Sequence, residues 1–296
     1  MPTLLDFRRR IRSVKNTQQI TRAMKFVAAA RLRRAQESAL AARPYASELA
    51  RLLRSIMGRI ISGGKGEPQH PLLAKRPEER ILAIVLSGER GLAGAFNTNI
   101  LRKANEFLRA NKDKKLSLVP VGKKGRDSLK RAGFSFAAEY INVLAKVEFG
   151  TAREIAGLVS KLYAEDQIDA VYLIFSEFKT VMTANLKVEK LLPVEPESSP
   201  EAGDHQEPES QVDYIYEQPP EKLLGALLPK YIEAQVLRAM LESSAAEYAA
   251  RMAAMESATR NAGEVIQALT LHMNKVRQAA ITKEIIEIVS GASHGA

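Results

Sequence analysis

A seam of mostly apolar residues near the end of the chain recurs in steps of four and three: Leu241, Ala245, Tyr248, Met252, Met255, Thr259, Ala262, Ile266, Leu269, Met273, Val276, Ala280. This spacing keeps one stripe of a helix against a partner helix in a left-handed supercoil. The first sixty residues carry a second helical pattern, with Leu4, Phe7, Ile11 and Val14, then Ile20, Met24 and Val27, then Leu49, Leu52, Ile56 and Ile60 on the expected seam. An alanine-rich middle (Ala28, Ala29, Ala30, Ala35, Ala39, Ala42) favours helix and close approach of a neighbour. At 1.5 Å per residue the two helices are expected to be roughly 85 and 105 Å long, too long for a compact domain. Between them, Ile81–Leu86, Leu116–Val121 and Ala170–Phe175 read as buried strands, Phe134–Tyr140 as an edge strand and Thr180–Leu192 as a further strand. Helical stretches at 97–110, 125–131 and 151–165 alternate with them, which predicts a mostly parallel sheet with helices on its faces.

The expected fold class is therefore α/β plus a long coiled coil: an antiparallel pair of N- and C-terminal helices around a central Rossmann-like domain. The boundaries read as an N-terminal helix over 1–61, an α/β domain over 78–192, an acidic loop over 193–219 and a C-terminal helix over 220–290. Pro219-Pro220 reads as the start of the last helix, where a first-turn proline is tolerated, and Pro229 as a kink or an effective start.

Composition narrows the chemistry. There is no cysteine in the 296 residues, which excludes disulfides, thiolate metal sites and cysteine nucleophiles. The longest apolar run, Ile81–Leu86, is far too short to span a bilayer. No secretory pattern opens the chain, because Arg8, Arg9 and Arg10 are not followed by an apolar stretch, and a cytosol-type compartment is expected. The net charge of +10 is uneven: residues 1–61 hold fourteen Lys/Arg against Asp6, Glu37 and Glu48, whereas 195–217 hold eight acidic residues and no Lys or Arg. A basic helix suits nucleic acid, an anionic membrane surface or an acidic protein partner. The nucleic-acid alternative, a basic coiled coil on phosphates, needs stacking aromatics, and only Phe7, Phe26 and Tyr45 lie near the basic residues.

No catalytic constellation emerges. The turn after the first strand spaces Gly88, Gly91 and Gly94 as G-x-x-G-x-x-G rather than G-x-G-x-x-G, and Lys123 and Lys124 stand where an acidic ribose ligand is wanted. Tight-turn glycines account for it better than nucleotide binding. His70, His205, His272 and His294 are not spaced with carboxylates as metal ligands, so neither cofactor nor metal is expected. Met24, Met252, Met255 and Met273 read as packing residues. Beyond Ala280 the apolar positions slip phase through Ile281, Ile285 and Ile288, leaving an apolar face that needs an external socket.

Three blocks resemble the gamma subunit of the F-type ATP synthase, of the bacterial type, over essentially the whole chain. They are Arg10-Ile11-Arg12-Ser13-Val14-Lys15-Asn16-Thr17-Gln18-Gln19-Ile20-Thr21-Arg22-Ala23-Met24-Lys25, then Arg90-Gly91-Leu92-Ala93-Gly94-Ala95-Phe96-Asn97, and the C-terminal set. That last set comprises Ala250-Arg251-Met252-Ala253-Ala254-Met255, Arg277-Gln278-Ala279-Ala280-Ile281-Thr282 and Ile288-Val289-Ser290-Gly291-Ala292. The resemblance implies a non-catalytic rotor shaft standing inside a hexamer of alpha and beta subunits. Its α/β domain would form a foot on the membrane c-ring, bound to the epsilon subunit, at the cytoplasmic face of the cell inner membrane without inserting into it. It places Met24 and Lys25 near acidic lever loops of beta, and Arg277, Gln278 and Thr282 against the hexamer. Ile285, Ile288 and Val289 would sit in a hydrophobic bearing, and Tyr214 and Glu217 would face the ring. Ala93 stands where a cysteine is common and Met273 where an aromatic is usual. The regulatory cysteine pair of chloroplast relatives is missing, so thiol control of rotation is not expected.

Overall fold

The computed structural model describes residues 3–62, 70–180, 183–194 and 218–293. The first helix, α1, spans Leu4–Ser62, and the last, α5, spans Pro220–Ser293. Thr3 and Asp6 start α1 with a reciprocal cap: the Asp6 amide donates to Thr3 Oγ1 at 3.3 Å and the Thr3 amide to Asp6 Oδ2 at 3.0 Å. Both helices run through an internal proline, Pro44 and Pro229. Each proline faces solvent, where water can satisfy the carbonyl that loses its amide partner, and α5 starts at Pro220 rather than at Pro229.

The chain forms two compact units. One holds residues up to Ala29 together with those from Arg251 onward. Its α1 and α5 segments run antiparallel, because partners descend on one helix as they rise on the other: Phe7 meets His272, Gln18 meets Thr259, and Lys25 meets Glu256. The covered stripe of α1 is Leu4, Phe7, Ile11, Val14, Gln18, Thr21, Lys25 and Ala28, a strict three–four alternation. On α5 the covered stripe is Met252, Met255, Thr259, Ala262, Ile266, Leu269, Met273 and Val276, and from Arg277 on every described side chain is exposed. Ile20 and Val27, expected on the seam, are 60 % and 54 % exposed. Counting threes and fours from Phe7 lands on the polar Gln18 and Thr21, so the seam passes through those and turns the apolar pair outward.

The other unit spans Ala30–Ala250 and contains the sheet. Strand β1 (Arg80–Leu86) lies between β2 (Lys115–Val121) and β3 (Ala170–Phe178), parallel to both; β4 (Ala184–Leu192) pairs antiparallel with β3. The order is β2-β1-β3-β4. From Ile81 on, β1 is buried on both faces, as a central parallel strand with no polar alternation should be. Its alternate residues feed two cores. Leu82, Ile84 and Leu86 pack with α4 (Phe149–Ala164), with Leu53, Ile56 and Ile60 of α1, and with Leu228, Ile232 and Val236 of α5. Ala83 and Val85 pack with Phe96, Ile100, Ala104 and Leu108 of α2 (Phe96–Ala110) and with Leu129 of α3 (Lys123–Arg131).

Two expected strands differ. Phe134–Tyr140 makes isolated bridges to Leu118 and Val121 rather than a strand. Pro120 is the reason: its carbonyl accepts from Tyr140 at 3.0 Å, but the matching amide that a ladder needs on that side is missing. The segment expected to start at Thr180 begins its strand at Ala184, because Thr180 and Thr183 close a turn, the Thr180 amide donating to Thr183 O at 3.0 Å.

Candidate interaction surfaces

The first βα turn is where an α/β domain of this kind would hold a nucleotide. Here a carboxylate from that turn instead reaches the N-terminus of α3, the helix after β2. Glu89, 8 % exposed, accepts from the Lys123 amide at the start of α3 at 3.1 Å, and from the Val143 and Leu144 amides at 3.1 and 3.4 Å. Ser87 Oγ accepts from the Gly125 amide at 2.7 Å, so the first turn of α3 is already satisfied. Gly88 allows close approach: a Cβ there would lie 2.9 Å from both Asn97 Oδ1 and Glu247 Cδ. Gly94 adopts φ 54°, a left-handed conformation that suits glycine. The turn thus presents Leu92, at φ 62° and 63 % exposed, on a firmly tied base. Among the described residues no group of three or more His, Asp or Glu side chains is placed to hold a metal ion.

Within the sheet unit, ion pairs hold the part of α5 around residues 238–242. Glu242, its side chain 3 % exposed, accepts from Arg43 Nη2 at 2.8 Å and from the Phe178 amide at 2.9 Å. Arg238 stacks over Phe175 and pairs with Glu189. Asp169 holds Arg80 through Oδ1 at 2.6 Å and Oδ2 at 3.1 Å, and the hydrogen bond from that guanidinium holds the Asp169 carboxyl below the usual range.

The residues singled out from the sequence fall into three groups. Met24 and Lys25 are half-buried in the helix pair, and Lys25 Nζ pairs with Glu256 Oε1 at 2.7 Å. That hydrogen bond, with the Lys25 charge, keeps the Glu256 carboxyl below its ordinary value. Arg277, Gln278 and Thr282 are exposed on α5, as are Ile285 and Ile288 at 55 % and 71 %. Val289 continues the helix, with its side chain outside the described set; Tyr214 and Glu217 lie outside the described residues.

Some surface features escaped the sequence reading. Ile286 is 61 % exposed beside the expected Ile281, Ile285 and Ile288, so the apolar end of α5 is broader than a single stripe. Ile20, Phe26 and Val27 form a second exposed apolar set on α1. The seven-residue step from Ile20 to Val27 carried that signal, but it was assigned to the wrong stripe.

Comparison with known proteins places this arrangement. The ATP synthase family model matches residues 3–294. The ATP synthase gamma chain of Solibacter usitatus is 48 % identical over 99 % of each chain, and that of Pelotomaculum thermopropionicum 45 % over 99 % of each. A solved central stalk/c-ring structure of the Tetrahymena thermophila mitochondrial ATP synthase contains a chain similar at a TM-score of 0.62 with 26 % identity, covering 81 % of this chain and 99 % of that one. Paired terminal helices, a four-stranded α/β unit and a bare apolar end to α5 therefore occur together in a chain that belongs to the ATP synthase gamma-chain family.

Proposed function

We infer that this chain is the central rotor shaft of an F-type ATP synthase, coupling ion-driven rotation of the membrane c-ring to conformational cycling of the catalytic beta subunits. It is a non-catalytic subunit; ATP is made and hydrolysed on beta. The nucleic-acid alternative finds no support among the relatives. The observation that carries the reading is the exposure of α5 beyond Val276: a helix that leaves its partner and keeps Ile281, Ile285, Ile286 and Ile288 bare needs a socket in another protein. The hexamer of alpha and beta subunits supplies one. Coupling by such a shaft is differential contact, since each orientation must favour a different conformation of each beta subunit.

On this reading Ile285, Ile288 and Val289 turn in the apolar bearing, while Arg277, Gln278 and Thr282 touch the hexamer below it. Met24 and Lys25 stand near acidic lever loops of beta, and Tyr214 and Glu217 face the ring beside the epsilon subunit. No described helix is long and apolar enough to cross a membrane, and the chain is peripheral, held at the cytoplasmic face of the cell inner membrane through the c-ring. Mixing with alpha and beta subunits is expected to give a complex with ATPase activity, whereas the lone chain hydrolyses nothing. Arg277→Ala with Gln278→Ala is expected to lower ATP synthesis in reconstituted membranes while the chain stays folded. Unchanged synthesis would count against the placement of these two side chains.

A further inference from the structure

The helix pair contains a polar layer in the middle of its apolar seam. Thr21 Oγ1 lies 2.8 Å from Thr259 Oγ1 across the pair, and Gln18 Nε2 donates to Thr259 O at 3.3 Å. Each hydroxyl has one proton and two acceptors within reach: Thr259 Oγ1 lies 2.7 Å from Met255 O, Thr21 Oγ1 lies 3.0 Å from Gln18 O, and either can donate across the pair. Four residues along α5 from Thr259 towards Ile266, about one turn, lies Gly263, where a Cβ would sit 3.1 Å from Gln18 Nε2. The Lys25–Glu256 pair closes the layer on its other side at 2.7 Å.

We propose that Gln18, Thr21 and Thr259, seated on Gly263, are positioning residues that lock the axial offset between the two helices. Three considerations support this. A polar residue in a coiled-coil seam stabilises less than valine or leucine would, and its best-attested use is to specify register. The apolar neighbours Ile11, Val14, Ile266 and Leu269 tolerate small offsets better, because their side chains can repack by changing rotamer. Hydrogen bonds do not: one residue of slip moves a helix by about 1.5 Å, enough to part the two hydroxyls and take Gln18 off its carbonyl. Glycine in a helix interior is otherwise unfavourable, so its presence at 263 is explained by the amide it accommodates.

The consequence rests on the rotor reading and deepens it. Two helices that carry a twist together must not slide along each other, because slip would absorb rotation that should reach the beta subunits.

The chain's lack of cysteine makes the test clean. Nitroxide labels on cysteines at Arg10 and Lys275, both exposed, report the offset by dipolar spectroscopy on the full chain alone. The parent chain, and Thr21→Ser with Thr259→Ser, should give one narrow distance distribution. Gln18→Leu with Thr21→Val and Thr259→Val should melt no lower than the parent yet give a broadened or split distribution. The single change Thr21→Val should broaden it less, and serves if the triple variant does not fold. In complexes with alpha and beta subunits in reconstituted membranes, ions pumped per ATP hydrolysed should fall severalfold in the triple variant and recover in the serine pair. A single narrow distribution in the Leu/Val/Val and Thr21→Val chains overturns the lock. Failure of the parent chain to assemble with alpha and beta subunits overturns the rotor reading instead, because the distances are measured without them.

Discussion

Replacing Gly263 by alanine sets two effects of similar size against each other, and the structure decides where each wins. Glycine in a helix interior is about 1 kcal/mol less favourable than alanine, so on propensity alone the change should stabilise. The new Cβ, however, would lie 3.1 Å from Gln18 Nε2, closer than ordinary contact. Gln18 cannot yield freely, because the same nitrogen donates to Thr259 O at 3.3 Å, a bond already near the limit of useful length. Losing it costs about 0.5–1.5 kcal/mol. In the parent chain the two terms should nearly cancel. With Gln18→Ala the obstruction is gone, and Gly263→Ala should then stabilise by about 1 kcal/mol, giving a coupling of about 1 kcal/mol between the positions. Amide hydrogen exchange across α5 near Thr259–Ile266 reads local stability directly and avoids treating a chain of two compact units as two-state. Equal stabilisation by Gly263→Ala in both backgrounds would refute the reasoning.

Other expectations follow from the sheet unit. Gly122→Ala should prevent stable folding, since residue 122 has φ 104° and a Cβ there would lie 1.9 Å from Ser87 O; a normal melting transition in that variant would contradict the geometry. Arg43→Ala leaves the Glu242 carboxylate buried with only the Phe178 amide among the partners named above. It should cost about 2–4 kcal/mol, less than a fully enclosed pair because Arg43 is partly exposed, with Glu242→Gln in the same background restoring part of the loss. Asp169 titrates below its unfolded value because Arg80 bonds to it, so its contribution is present above about pH 4 and fades as pH falls through the still lower folded value. Asp169→Asn should therefore melt lower than the parent at neutral pH, with the gap closing below about pH 4; a gap independent of pH would show that the charge is not what stabilises.

Much of this molecule is legible in local pattern. The three–four spacing from Met252 to Val276 marks covered positions on α5 without error, because heptad periodicity depends only on helix geometry and on an apolar stripe needing cover. Strand β1 was equally readable, since a run with no polar alternation can only be a strand buried on both faces or a buried helix, and six residues are too few for the latter. The exposed isoleucines near the end of α5 were legible for the opposite reason: their phase departs from the seam. The edge segment at 134–140 was misread because its strand-like composition carries no information about Pro120, the neighbour that withholds a donor.

What the sequence determined by itself was the existence of two long helices with one covered stripe each, and a buried sheet between them. Those features follow from a period of 3.5, from apolar runs without alternation and from the cost of exposing apolar area. Tertiary structure decided which of two apolar rows on α1 faces inward, turning Ile20 and Val27 out and Gln18 and Thr21 in. It also decided that Glu89 reaches the N-terminus of α3. Both outcomes depend on partners far away along the chain, Thr259 in one case and the Lys123, Val143 and Leu144 amides in the other. A hydrogen bond is made or lost over a few tenths of an ångström, a precision that no local pattern of residue types encodes.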